Sequence, residues 1–261
     1  GAGGMSLPAG ALGAHFEHVT FAYPEGPSVL HDVNVEIAPR QRVAIVGETG
    51  SGKTTFAKLL TRLMDPTEGV VRLGEADISR VSFDELRGHV VMVPQEGFLF
   101  DSSLADNLRY GRTDASDFEL IGAIGELELG DWFATLPGGL DTMVGQRGES
   151  LSAGERQLVA LIRSYLANPD FLVLDEATSA VDPQTELRAT RALDRLLTGR
   201  TSVTIAHRLS TAEVADRVLV FDAGRLVQDG THAELVASDG VYARLHASWI
   251  ARSHLSVRVG E

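Results

Sequence analysis

The stretch "RVAIVGETGSGKT" at residues 42–54 decides the fold, because it joins a run typical of a buried strand to a helix through a glycine-rich loop. Its last eight residues, which begin at Gly47, fit the pattern G-x-x-x-x-G-K-[ST]. Glycines let the loop backbone wrap a phosphate chain with its N–H groups pointing inward, and the helix N-terminus adds positive potential. The strand–loop–helix context therefore predicts a phosphate site rather than a turn that merely caps a helix.

The residue types of this loop predict how each would serve a nucleotide. Lys53 is expected to reach the β- and γ-phosphates, and the Thr54 hydroxyl is expected to bind Mg²⁺. Thr55 is expected to be a further phosphate donor. The predicted nucleotide ligands of the loop are Gly47, Glu48, Thr49, Gly50, Ser51, Gly52, Lys53, Thr54 and Thr55.

A second motif, "FLVLDEATS" at 171–179, places two carboxylates at the end of an apolar strand. Ligands of open α/β sheets gather at the carboxyl ends of the strands. Asp175 is therefore predicted to hold Mg²⁺ through water, and Glu176 to polarise a water molecule aimed at the γ-phosphate. A solvated turn is the alternative for such a pair, and the phosphate loop in the same chain disfavours it.

Bulk composition excludes several classes of function. The 261 residues carry a formal charge of −13, which argues against non-specific nucleic-acid binding. There are no cysteines, so disulfides and thiolate metal sites are excluded. The apolar runs are far shorter than the roughly 20 residues needed to cross a bilayer. "GAGG" before Met5 is interpreted as a cloning remnant.

Strand-like and helix-like patterns alternate through most of the chain, which predicts an α/β fold with a mostly parallel sheet. From about 103 to 168 the pattern is helical and interrupts the strands, so we expect a helical lobe inserted into the core. The stretch "ESLSAGERQ" at 149–157 lies in this lobe and predicts a capping box from Ser152 to Glu155. Three other residues at or near strand ends, Tyr23, Gln95 and His207, have a purely structural explanation when each is taken alone.

The ordered set of these motifs resembles the nucleotide-binding domain of ATP-binding cassette (ABC) transporters across roughly residues 14–250. Tyr23 matches the aromatic loop that stacks on adenine, "GETGSGKT" the Walker A loop, and "FLVLDE" Walker B. Gln95 matches the Q-loop, "LSAGE" at 151–155 the family signature, "SAVD" at 179–182 the D-loop, and His207 the switch histidine.

This resemblance implies a RecA-like P-loop NTPase core with an antiparallel β subdomain and an inserted helical signature subdomain at about 101–168. Residues 1–13 would be remnant and linker, 14–250 the ATP-binding domain, and 251–261 a C-terminal tail. The resemblance also implies that ATP and Mg²⁺ are the cofactors, and that Thr54, Gln95 and Asp175 are the metal ligands. It further implies that Glu176, Lys53 and His207 take part in ATP hydrolysis.

The resemblance further implies a head-to-tail dimer in which the signature of one subunit completes the ATP site of the other. Ser152 and the Gly154 N–H would be the donors in trans, and Asp182 would communicate across the dimer. The usual signature is LSGGQ, so Ala153 and Glu155 depart from it. A carboxylate near an anion site raises the alternative of a cassette that clamps ATP with little turnover, although Glu155 can turn back as a helix cap.

The segment "VPQEGFLFDSSLADNLRYG" at 93–111 resembles the exporter branch. There Phe98, Leu99 and Phe100 would help form a groove for a coupling helix of a transmembrane domain. The expected partners are thus a second nucleotide-binding domain and a transmembrane domain, at the cytoplasmic face of the cell membrane. The ATPase subunit of an importer is the remaining alternative within transporters.

Overall fold

The computed structural model describes residues 6–94, 97–175 and 182–258. Its strands are β1 (Ala14–Ala22), β2 (Ser28–Ile37), β3 (Arg42–Val46), β4 (Glu68–Leu73), β5 (Ala76–Asp77), β6 (Val90–Val93), β7 (Phe171–Asp175), β8 (Thr201–Ile205), β9 (Arg217–Asp222) and β10 (Arg225–Gly230). Its helices are α1 (Lys53–Leu60), α2 (Phe83–His89), α3 (Leu104–Arg109), α4 (Asp117–Glu126), α5 (Gly130–Phe133), α6 (Ala153–Ala167), α7 (Pro183–Leu197), α8 (Leu209–Glu213), α9 (His232–Ala237) and α10 (Val241–Arg258). Within these ranges no helix combines the length and apolar character that crossing a membrane requires.

The larger sheet has six strands in the order β10-β9-β3-β8-β7-β6. Its pairs are parallel except for the antiparallel pair of β9 and β10 at one edge. All five residues of β8 are buried, as expected for a central strand covered on both faces. The prediction of a mostly parallel sheet is confirmed. Because β3, β7 and β8 run in the same direction, their carboxyl ends meet at one edge of the sheet.

The smaller sheet is antiparallel, in the order β2-β1-β4-β5, and it packs against the larger one through α1. Phe56 of α1 stacks on Phe16 of β1 with ring centroids 4.1 Å apart. It also meets Phe221 of β9 at 5.3 Å. The helix that follows the glycine-rich loop is therefore held on both sides by buried aromatic rings.

Helices α3 to α6 contribute to a separate apolar cluster on the other side of the larger sheet, and the buried Trp132 is one of its members. Serine hydroxyls cap the N-termini of three of them, at Ser103, Ser116 and Ser152. Side-chain caps of this kind satisfy backbone N–H groups that have no partner within the helix. The predicted helical character of this segment is thus present, with its own core.

Both ends of the described chain have defined structure. Glu85 of α2 accepts hydrogen bonds from the Leu7 N–H at 2.9 Å and the Ser6 hydroxyl at 3.1 Å. The Leu7 side chain is buried, so this part of the expected linker packs on the domain. At the other end α10 continues to Arg258, into the segment assigned to a tail.

Candidate nucleotide-binding site

The loop between β3 and α1 has a backbone that requires glycine. The φ angle is 155° at Gly47, 80° at Gly50 and 103° at Gly52, in the region that other residues rarely occupy. A Cβ on Gly47 would lie 2.3 Å from the carbonyl oxygen of Phe221, and one on Gly52 would lie 2.6 Å from the Leu30 side chain. Backbone angle and lack of space therefore both demand glycine at these two positions.

The N-terminus of α1 is suited to an anion. Its N-cap, Gly52, has no side chain that could bond the first N–H groups, and the first turn contains no acidic residue. These N–H groups and the helix dipole favour a negatively charged group at this end. Thr54 is exposed beside them, whereas Thr55 is buried. The Thr54 hydroxyl is thus the one of the two that faces solvent.

Lys53 folds back over the loop, and its residue is only 7 % exposed. The ammonium donates to the carbonyl oxygens of Gly47 and Glu48, both at 2.8 Å, and to the Ser51 hydroxyl at 3.4 Å. Burial lowers the pKa of Lys53, and the charge of Asp175 opposes that shift. The loop therefore holds a desolvated cation within the electrostatic reach of the β7 carboxylate.

Asp175 and His207 come together at the same edge of the sheet. Asp175 ends β7 and is paired in register with Ile205 of the parallel strand β8, two residues before His207. The His207 Nε2 atom lies 3.5 Å from Asp175 Oδ1. The Asp175 side chain is 20 % exposed and that of His207 is 42 % exposed, so both face an accessible space. The parallel topology thus unites two residues that are 32 positions apart in the sequence.

Two predicted site residues, Gln95 and Glu176, lie outside the described residues. Strand β6 ends at Val93, two residues before Gln95, and β7 ends at Asp175, directly before Glu176. The metal-binding role predicted for Gln95 and the catalytic role predicted for Glu176 remain predictions.

A backbone connection that the sequence analysis missed ties the loop to both sheets. The Gly224 N–H donates to the Ser51 carbonyl at 3.1 Å, and the Gly224 carbonyl accepts from the His31 N–H at 2.9 Å. Gly224 has φ 76°, and a Cβ there would lie 2.2 Å from the Val29 carbonyl oxygen. The tight turn between β9 and β10 thereby hydrogen-bonds the phosphate loop to strand β2 of the smaller sheet.

Tyr23 follows β1 directly, at the end of the smaller sheet. It is 42 % exposed, and its ring meets the buried Phe21 edge to face with centroids 5.0 Å apart. This contact fixes one edge of the ring and leaves the rest accessible. An exposed, supported aromatic ring can stack on a flat heterocycle.

The N-terminus of α6 carries the predicted capping box and a partner that was not predicted. The Glu155 carboxylate accepts from the Ser152 N–H at 2.8 Å, while the Ser152 hydroxyl accepts from the Glu155 N–H at 3.2 Å. The second carboxylate oxygen accepts from the indole N–H of Trp132 at 3.1 Å. Glu155 is therefore held toward its own helix end. Ser152 and Ala153 are exposed there, whereas Gly154 is buried.

Asp182 caps helix α7. Its carboxylate accepts from the Thr185 N–H at 2.9 Å, from the Thr185 hydroxyl at 2.8 Å and from the Gln184 N–H at 3.4 Å. The hydrogen bonds from Thr185 hold the pKa of Asp182 below its ordinary value. The carboxylate thus has a capping role within its own subunit, and the role predicted for it across a dimer remains a prediction.

The expected coupling groove is only partly as predicted. Phe98 and Phe100 are exposed and pack edge to face, with centroids 5.0 Å apart. Phe100 also stacks on Tyr110 at 4.2 Å. Leu99 is wholly buried in the helical cluster, so it does not line an exposed groove. Leu99 thus faces inward between two residues that face outward.

Comparison with known proteins agrees with this arrangement. A family model described as ABC transporter matches residues 30–179, more than half of the chain. The chain belongs to the ABC transporter family. It is 43 % identical over 246 residues to an ATP-dependent lipid A-core flippase of Chromobacterium violaceum, covering 94 % of this chain and 42 % of that protein. It is 44 % identical over 230 residues to a fatty acid ABC transporter ATP-binding/permease protein of Mycobacterium bovis, covering 88 % and 36 %.

Among solved structures, a bacterial Atm1-family ABC exporter with ATP bound matches with a TM-score of 0.87 and 40 % identity, covering 94 % of this chain and 43 % of that one. The chain spans about two fifths of the length of these relatives. It is thus an ABC transporter ATP-binding domain with a P-loop fold, as its motifs predicted.

Proposed function

We propose that this ABC transporter domain hydrolyses ATP and that hydrolysis drives export by the transporter to which it belongs. The observation that carries the proposal is the convergence of Lys53, Asp175 and His207 at the edge where the phosphate loop opens. Relatives described as a flippase and as an exporter support the direction of transport.

The donor set at this edge fits Mg²⁺. The exposed Thr54 hydroxyl and the Asp175 carboxylate are hard oxygen donors, and Gln95 would add a carbonyl oxygen. Mg²⁺ prefers oxygen ligands and is commonly bound by one or two protein groups together with substrate phosphates. When bound with ATP, it would neutralise charge on the phosphate oxygens.

The residues of the chain would do the remaining work. Lys53 would exchange its bonds to loop carbonyls for bonds to the β- and γ-phosphates. Glu176 would orient the attacking water and accept its proton. His207, whose Nε2 atom lies 3.5 Å from Asp175 Oδ1, would donate to the γ-phosphate. Tyr23 would stack on the adenine.

A second copy of the domain, or a homologous one, would complete the site. The γ-phosphate needs donors on its open side, and the N-terminus of α6 offers the exposed Ser152 there. Glu155 accepts hydrogen bonds from the Trp132 indole N–H and the Ser152 N–H, so its carboxylate is held at its own helix end. This arrangement supports turnover over the alternative of a cassette that binds ATP without hydrolysing it.

The exposed rings of Phe98, Phe100 and Tyr110 form a surface that suits a helix of the transmembrane domain. Docking there would place the domain at the cytoplasmic face of the membrane. ATP-driven closure of the domain pair and reopening after hydrolysis would then be transmitted to the membrane domain.

The variant Glu176→Gln tests the proposed chemistry. Steady-state hydrolysis should fall by at least about a hundredfold, as expected for loss of a general base, while ATP binding persists and an ATP-bound dimer accumulates in size-exclusion chromatography. Glu75→Gln, which changes an exposed carboxylate on the smaller sheet, serves as the matched control and should leave turnover unchanged. Near-normal turnover of Glu176→Gln would contradict the assignment. Lys53→Ala should abolish binding and turnover together.

A further inference from the structure

Three potential metal ligands meet on the side of the domain formed by α8, α9 and α10. Glu213 is the last residue of α8, His232 is the first residue of α9, and His246 lies in α10. One ligand atom from each lies within 4.8 Å of both others. The cluster uses none of the residues assigned to the nucleotide, and the proposed function gives it no role.

The first imidazole of this cluster is oriented by a buried tyrosine. His232 Nδ1 lies 2.7 Å from the hydroxyl of Tyr242, which is fully buried. With Nδ1 engaged, Nε2 is left as the ligand nitrogen of His232. Metal-binding histidines are typically oriented by such a second hydrogen bond.

The second imidazole is placed close to the first. The rings of His232 and His246 have centroids 5.4 Å apart and are tilted by 58°. Both residues are half-buried, while Glu213 is exposed. Two partly desolvated imidazoles beside a carboxylate form a mixed nitrogen and oxygen donor set.

We propose that Glu213, His232 and His246 form a binding site for a divalent zinc ion. Two histidines and one glutamate are an established zinc ligand set, and a water molecule would take the fourth position. Tetrahedral ligands about 2.1 Å from the metal are separated from one another by roughly 3.4 Å. The three ligand atoms now lie within 4.8 Å of one another, and side-chain rotation of Glu213 and His246 would bring them to the shorter separation. The two imidazoles favour zinc over Mg²⁺ and Ca²⁺, which select oxygen ligands.

Such an ion would join three short or terminal helices that share a small apolar cluster. That cluster consists mainly of alanine and valine side chains, with Tyr242 and Leu235 as its larger members. Helix α8 begins two residues after His207, so a bond to Glu213 would anchor the segment that follows the switch histidine. Bound zinc should therefore stabilise this part of the domain directly.

Zinc titration of the nucleotide-free chain tests the proposal. Isothermal titration calorimetry with Zn²⁺ in the presence of excess Mg²⁺ should give one site per chain, and zinc should raise the thermal unfolding midpoint. Glu213→Gln and His246→Gln should each weaken binding by at least about tenfold and reduce the thermal shift. Tyr242→Phe keeps the ring but removes the oxygen that orients His232, and it should weaken binding by about 10- to 100-fold.

His18→Gln is the matched control. It removes an exposed imidazole that lies 2.8 Å from the Asp32 carboxylate, and zinc binding should be unchanged. Absence of a zinc site in the wild-type chain would overturn the proposal. Equal zinc binding by the wild-type, Glu213→Gln and His246→Gln chains would also overturn it. Circular dichroism confirms that each variant is folded, and the test is independent of ATP binding.

Discussion

Replacing Glu155 by glutamine would restore the residue that the usual signature has, yet the structure predicts that it destabilises this domain. The two carboxylate oxygens accept from different donors, the Ser152 N–H and the Trp132 indole N–H. A glutamine side chain has one carbonyl oxygen, so it can accept from only one of them. Its amide N–H₂ group would face the other donor.

The expected loss of stability follows from the number of hydrogen bonds that glutamine can keep. One hydrogen bond to a charged acceptor, worth about 1.5–3 kcal/mol, is lost. The favourable charge in the first turn of α6, worth about 0.3–1 kcal/mol, is lost as well. Because Glu155 is partly exposed, water offsets some of the loss, and we expect a net decrease of about 2 kcal/mol in the free energy of unfolding. In a domain of this size that lowers the unfolding midpoint by about 4–8 °C.

Differential scanning fluorimetry and urea unfolding measure the loss, and an ATPase assay measures turnover. Glu234→Gln is the matched control: in the wild type a single Glu234 oxygen accepts from both the Thr231 N–H and the Thr231 hydroxyl, so the amide oxygen of glutamine can take its place with a smaller loss of stability. In a Trp132→Phe background, Glu155→Gln should cost less than in the wild type. Higher turnover of Glu155→Gln with undiminished stability would refute this reasoning and mean that the acid weakens the phosphate site.

Three further substitutions have defined outcomes. Gly47→Ala forces a Cβ against the Phe221 carbonyl and should abolish ATP binding, measured with a fluorescent nucleotide, and lower stability by more than about 3 kcal/mol. Gly224→Ala should crowd the Val29 carbonyl and weaken ATP affinity without touching the nucleotide; unchanged affinity would contradict its support of the loop. Asp182 has a depressed pKa, so its stabilisation is present above its ordinary value of 3.8 and is lost as pH falls further. The stability difference between wild type and Asp182→Asn should therefore shrink in acid, as followed by thermal unfolding against pH.

The sequence was most informative where one short stretch determines its own geometry. The glycine pattern at 47–52 predicted a loop that opens onto a helix N-terminus, and the positive φ angles found there are ones that other residues rarely adopt. The Ser152–Glu155 box likewise depends on neighbours three positions apart, and it is present. Apolar runs such as those at 42–46 and 171–175 predicted central strands of the parallel sheet correctly.

Local sequence patterns could not predict the contacts between segments that are distant in the sequence. Trp132 reaches Glu155 across 23 residues, and nothing in the pattern around either marks them as partners. The inward orientation of Leu99 depends on the helical cluster that receives it. Strand β10 was missed because its residues alternate only between exposed and half-buried, so "RLVQDG" lacks an apolar face. Each of these features is fixed by tertiary packing.

The link from His31 through Gly224 to Ser51 consists entirely of main-chain groups. Side-chain replacement at His31 or Ser51 cannot delete either bond, since every residue except proline supplies the same N–H and every residue supplies the same carbonyl. Only Gly224 is constrained in identity, by its backbone angle. The attachment of the phosphate loop to the two sheets therefore does not depend on which side chains stand at positions 31 and 51.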